Sequence, residues 1–233
     1  MAAAFGGLSE AMALDFTIRG WHADLNPADG PAPRQVPKSL LRRLSPLARR
    51  AFRAIDGCIA PGEALPAVFS SSHGQIADSL ALLQTLQAGE DLSPAGFSLS
   101  VHNAIAGLYS MVYAHRLETV ALAPGVGGVG PGFIEALGLL GEGNQEVLLV
   151  FYDEALPDFY PATGYRLSAP GAALALRLAR GGAGLVCRFE PLAAPRGDGE
   201  QPLQLPALVE FLFDTRAELR LGNNGQGCLW QKR

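Results

Sequence analysis

The chain has 233 residues, 48% of them hydrophobic and 17% charged, with a formal net charge of −4. This composition excludes a disordered tail protein, and 28 glycines with 17 prolines stay below the low-complexity range. The charge balance gives the whole chain no pull toward nucleic acid or an anionic membrane, so any basic function must be local. Cys58, Cys187 and Cys228 are scattered, without a C-x-x-C pair or a metal-ligand spacing. They suit buried thiols in a reducing, cytoplasmic compartment, and no metal is expected. The first residues, MAAAFGGLSEAMALDF, carry no basic residue ahead of an apolar run, so no secretory signal is expected. The stretch from 120 to 140 is broken by Pro124, Pro131 and glycines and would make a poor transmembrane helix.

Residues 16–25, FTIRGWHADL, read as a first strand, followed by a proline-rich connection over 27–37. Ser45-Pro46 then supplies a cap and a first-turn proline, and Leu47, Ala51, Phe52 and Ile55 recur at helical spacing, which predicts a helix over 45–56. Residues 67–70 form a short apolar run that suits a buried strand. A helix is expected over 75–88, with Ile76, Leu80, Leu83 and Leu86 on one side and Gly89 as its stop. A second periodic segment covers 101–113, where Ala104, Ala106 and Gly107 leave room for another backbone. Residues 118–123, 133–140 and 147–152 read as strand, helix and strand, and the unbroken VLLVFY suggests burial on both faces. AALALRLAR at 172–180, Gly181-Gly182 and 184–190 read as a hairpin. A polar loop at 193–201 precedes a last helix over 204–219 built on Leu205, Leu208, Leu212 and Leu219. Strands mixed with helices and no repeat point to a layered α/β fold.

GVGGVG at 125–130 satisfies G-x-G-x-x-G between a strand and a helix, and Asp153 ends the next strand where a ribose-binding acid would fall. One alternative is therefore a nucleotide-binding oxidoreductase using Gly125, Gly127, Gly130 and Asp153. Against it, Pro124 and Pro131 bracket the glycines, and Pro131-Gly132 opens a helix that should start cleanly to face a pyrophosphate. A third reading is a glycine turn without a ligand. The run Ser70-Ser71-Ser72-His73-Gly74 resembles a serine beside its base, but triad partners come together from distant positions, and Ser72 reads as a helix cap.

Residues 97–110 read FSLSVHNAIAGLYS. Together with LLRRLSPLARRAFRAI at 40–55, VFSSSHGQ at 68–75 and VLLVFYDEALP at 147–157, in that order, it resembles the β-ketoacyl synthase-like N-terminal domain family over residues 16–160. The resemblance implies a thiolase-like N-terminal half, an α-β-α layering around a mixed sheet, with a C-terminal β-hairpin and helix at 165–233 covering it in a single unit over 1–233. It also implies that Pro124, Gly125 and Val126 form the turn where a ketosynthase holds its nucleophilic cysteine, as a thiolate favoured by the helix N-terminus. The slot falls on Val126, and no cysteine lies between Cys58 and Cys187.

A ketosynthase also needs histidines and a lysine from a second half, and His22, His73, His102 and His115 all lie in the first half of this chain. The resemblance thus implies a noncatalytic subunit, with no cofactor and no catalytic residues, similar to a chain length factor paired with a complete ketosynthase. Phe97, Ser100, His102, Asn103, Ala106 and Gly107 are the residues it places near the subunit contact and acyl tunnel. His102-Asn103 also has the plain reading of a satisfied buried polar pair. Seven basic residues fall within 34–53 with no acid among them. Arg42, Arg43, Arg49, Arg50 and Arg53 are read either as a solvated helix face or as a landing patch for an acidic acyl carrier protein.

Overall fold

A computed structural model describes residues 13–25, 30–160, 171–192, 204–223 and 225–233. The expected polar loop at 193–201 and residues 1–12 lie outside the described residues. In chain order the elements are β1 (Leu14–Asp24), α1 (Lys38–Leu41), α2 (Pro46–Asp56), β2 (Ala67–Ser70), α3 (Ile76–Gln87), α4 (Pro94–Ser100), α5 (Ala104–Val112), β3 (Thr119–Leu122), a 3-10 turn (Gly125–Gly127), α6 (Gly130–Gly141), β4 (Glu146–Asp153), β5 (Ala172–Ala179), β6 (Leu185–Leu192), α7 (Gln204–Phe213), β7 (Glu218–Asn223) and β8 (Gln226–Lys232).

The eight strands form one mixed sheet in the order β3-β2-β4-β5-β1-β6-β8-β7. β2 runs parallel to β3 and β4, and the remaining pairs are antiparallel. Side chains alternate across the central strand β4. Val147, Leu149 and Phe151 join Phe133 of α6 and Leu208 and Phe211 of α7 in one core. Leu148, Val150 and Tyr152 join Phe52 and Ile55 of α2 and Tyr109 of α5 in the other. This is the expected α-β-α layering, and it explains why VLLVFY carries no polar alternation: both faces are dry.

α2 starts as its sequence predicts. The Ser45 hydroxyl accepts from the Ala48 N–H at 3.0 Å, with Pro46 in the first turn. α4 was not anticipated, although Ser93-Pro94 repeats the same signal and Ser93 Oγ accepts from the Gly96 N–H at 3.2 Å. The helix expected over 101–113 begins only at Ala104, after an extended Val101 that separates it from α4. α3 forms where expected, but its apolar side is not a core face. Only Leu80 is buried, while Leu83 and Leu86 are 56% and 58% exposed.

Two further expectations are corrected. Residues 172–190 do not form a hairpin, because β1 lies between β5 and β6 and pairs with both. Gly181-Gly182 turns the chain, but the alternating pattern on either side could not reveal that a strand from residues 14–24 would enter the gap. The last helix ends at Phe213 rather than 219, and Leu219 reaches the core with Leu221 from β7. The C-terminal hairpin is β7 with β8.

Candidate functional site

The turn after β3 is built by backbone bonds and glycine geometry. The Gly127 N–H donates to the Pro124 carbonyl at 3.0 Å and the Gly128 N–H to the Gly125 carbonyl at 3.4 Å. Gly128 has φ +57°, and a β carbon there would collide with the side-chain amide of Gln204. At Gly130 a β carbon would stand 2.5 Å from Cys228 Sγ. These glycines exist so that the C-terminal elements can close on the turn. Pro131 occupies the first turn of α6, where its missing N–H costs nothing, so it does not spoil the helix start as expected. Val126 belongs to the backbone of the 3-10 turn, and its side chain lies outside the described residues.

The nucleotide reading loses its residues. The Val129 N–H at the start of α6 donates to Gln204 Oε1 at 3.0 Å within the interior, so a side chain of the chain itself sits where a phosphate would be held. β2 separates β3 from β4, unlike the adjacent strands of a dinucleotide-binding unit. Asp153 is buried, and its carboxylate accepts from Ser71 Oγ at 2.8 Å and from the Ser72 N–H at 3.1 Å. Burial pushes its carboxyl above the usual range, against those hydrogen bonds and the nearby His73.

Ser72 does not cap α3, which has no side-chain cap at Gln75, and Ser71 Oγ instead accepts from the Gly74 N–H at 2.7 Å in the loop ahead of it. A His102 ring nitrogen meets the Ser71 carbonyl at 2.9 Å, and Tyr152 donates to the His102 carbonyl at 3.3 Å. The loop leaving β2, the end of β4 and the start of α5 are thus one polar knot. Asn103 is exposed, so the pair His102-Asn103 is not buried together.

The residues expected at the subunit contact divide into two sets. Ser100 and Ala106 are buried and His102 is half-buried. Phe97, Asn103 and Gly107 face outward. A cavity of about 360 Å³ opens beside Asn103 and Gly107, lined also by Leu40, Arg43, Leu99 and Met111. Around it Phe97, Val101 and Met111 are exposed, which makes this side of the molecule apolar.

The basic cluster divides too. Arg42 and Arg43 are exposed, as is Lys38. Arg53 is buried in an ion pair with Asp24, and Arg50 is buried with its guanidinium donating to the Gly171 carbonyl at 2.6 Å. Arg49 donates to the Leu41 carbonyl at 3.0 Å. Helical spacing alone could not tell these inward arginines from the outward ones.

Burial pushes the thiols of Cys58 and Cys228 up to about 12 and that of Cys187 up to about 11, so none is poised as a nucleophile. Among the described residues no group of three or more His, Cys, Asp or Glu is arranged to hold a metal, and no helix is long and apolar enough to cross a membrane.

The family model for the β-ketoacyl synthase N-terminal domain matches residues 19–231. No curated protein matches the chain. Among solved structures, a ketosynthase in complex with its chain length factor from Xenorhabdus doucetiae aligns at 24% identity with a TM-score of 0.71, over 94% of this chain and 99% of that one. A type II polyketide acyl-carrier protein in complex with its ketosynthase bound to the hexaketide aligns at 11% identity and TM-score 0.66, over 94% and 99%. The ishigamide ketosynthase/chain length factor aligns at 15% identity and TM-score 0.55, over 77% and 67%. These likenesses establish the fold.

Proposed function

The chain belongs to the β-ketoacyl synthase N-terminal domain family, and from that membership we propose that it is a noncatalytic, chain-length-factor-like subunit. It pairs with a complete β-ketoacyl synthase and shapes the acyl pocket of the pair in polyene or fatty-acid-like biosynthesis. The partner supplies the cysteine thiolate that attacks an acyl thioester. In this chain the corresponding slot is Val126.

The observation that carries the reading is the contrast between the two edges of the sheet. β7 ends one edge with Glu218 and Arg220 exposed and paired at 2.8 Å, a charged border that resists further strand pairing. β3 ends the other edge with Thr119-Val120-Ala121-Leu122, uncharged and half-buried. α5 packs against β3 and exposes Met111. An uncharged edge beside an apolar helical surface suits a stable interface, which buries roughly 1,200–2,000 Å² or more. Similar solved structures include a ketosynthase with its chain length factor and an acyl-carrier protein with its ketosynthase. They support the same kind of partner here. Arg42 and Arg43, with Lys38, are the residues that would meet an acidic acyl carrier protein.

The test is co-expression with a complete ketosynthase. A complex that survives size-exclusion chromatography is expected, and the chain alone should not condense acyl and malonyl thioesters. Condensation by the purified chain would overturn the proposal.

A further inference from the structure

The turn at 123–130 has two different sides. Its inner side is closed by the C-terminal elements: Gln204 fills the space beside Gly128, Cys228 Sγ lies against Gly130, and Gln226 Oε1 stands 3.1 Å from where a β carbon of Gly127 would be. Among the described residues, nothing closes its outer side. Ala123 and Gly125 are exposed, and among the described residues nothing lies within 4 Å of a β carbon placed on Gly125.

At Gly128 the chain takes φ +57° and ψ −130°, a conformation that only glycine adopts readily. That reversal turns the Val129 N–H inward, where the first-turn donors of α6 have no partner of their own. Gln204, 3% exposed, meets it with Oε1 across 75 residues of chain.

We infer that Gln204 is a positioning residue for this turn: its amide, lodged beside Gly128 and bonded to Val129, fixes the form in which Ala123–Gly125 is presented to the partner subunit. The inference rests on the pairing role proposed above. Its content is specific to the amide oxygen, because a methionine at 204 would fill nearly the same space and leave the Val129 N–H buried without an acceptor.

The experiment uses the full chain as wild type, Gln204→Met and Gln204→Glu. Glutamate keeps the accepting oxygen and places it at a helix N-terminus, where an anion is favoured. Amide hydrogen exchange over residues 123–130 is measured by mass spectrometry, and capture is measured with tagged complete β-ketoacyl synthases of the same genome, co-expressed with each variant. In Gln204→Met, exchange over 123–130 should rise at least tenfold while that over 147–153 stays unchanged, and captured synthase should fall at least tenfold. Gln204→Glu should restore both. Unchanged exchange in Gln204→Met overturns the inference alone, as does undiminished capture despite a loosened turn. A wild-type chain that captures no synthase overturns the pairing role instead. Should Gln204→Met fail to fold, Gln204→Asn, one methylene short of the contact, is read by the same outcomes.

Discussion

Ser71 at the end of β2 donates its hydroxyl proton to Asp153 at the end of β4 at 2.8 Å, and the same carboxylate accepts from the Ser72 N–H. Two parallel strands are thereby tied at the edge from which α3, α4 and α5 depart. Asp153→Ala leaves the buried Ser71 hydroxyl and the half-buried Ser72 N–H without this acceptor and should cost about 2–4 kcal/mol in urea denaturation. Asp153→Asn, which keeps an accepting oxygen, should cost less than half as much. Equal losses in the two variants would show that the tie does not depend on the acceptor.

At the other end of the sheet, Arg177 grips Glu63 with two bonds of 2.7 and 3.1 Å and also holds Glu146, which Arg19 approaches at 2.6 Å. Burial raises the Glu146 carboxyl, but the two arginines outweigh it and hold the group below the usual carboxylate range. A depressed folded-state value means that this contribution is complete above the unfolded value of about 4.3 and is lost as the pH falls through the folded one. Glu146→Gln should therefore destabilise the chain by about 1–2 kcal/mol at pH 7, with the difference from wild type shrinking below pH about 4. A difference independent of pH would rule out the ionised pair as its source.

The basic cluster separates by experiment as it does by burial. Replacing Arg53 with alanine strands the buried Asp24 and should cost about 3–5 kcal/mol. Reversing Arg42 and Arg43 to glutamate should change stability by less than about 0.5 kcal/mol. The same reversal should slow association with an acyl carrier protein about tenfold at low salt, an effect that fades as salt is added. Association insensitive to the reversal would remove the carrier patch.

Leu83, Leu86 and Met111 are 56%, 58% and 67% exposed although they belong to regular helices. Substituting each with lysine should leave the melting temperature of the isolated chain nearly unchanged, since little core contact is lost. The triple substitution should abolish co-purification with a ketosynthase. Retained co-purification would place the interface elsewhere.

What could be read in advance follows from range. Ser45-Pro46, the apolar stripe of α2 and the unbroken VLLVFY are local signals, and each folded as read. The glycine turn was located by its residues, yet Gln204 and Cys228 close on it from positions that no spacing near 125–130 could reveal. Leu83 and Leu86 share one stripe of α3 with Leu80, yet only Leu80 is buried. An exposed apolar stripe has the same period as one that packs on the chain's own sheet. Likewise, Arg50 and Arg53 looked like their solvated neighbours until Gly171 and Asp24 arrived from distant strands.

The position of β1 also governs how the fold can assemble. Thr17 pairs with Ala179 on one side and Val186 on the other, so β1, which precedes the other described strands in the chain, has no place between its two neighbours until β5 and β6 exist. β2, β3 and β4 can pair as the middle of the chain emerges. β1 must then enter the gap between β5 and β6 as a closing step, after a long loop closure of the kind that slows folding. A ribosome-bound chain halted before residue 172 should hold β1 protease-sensitive beside a formed parallel core. Release through residue 192 should protect it, which makes β1 the stave that locks the sheet.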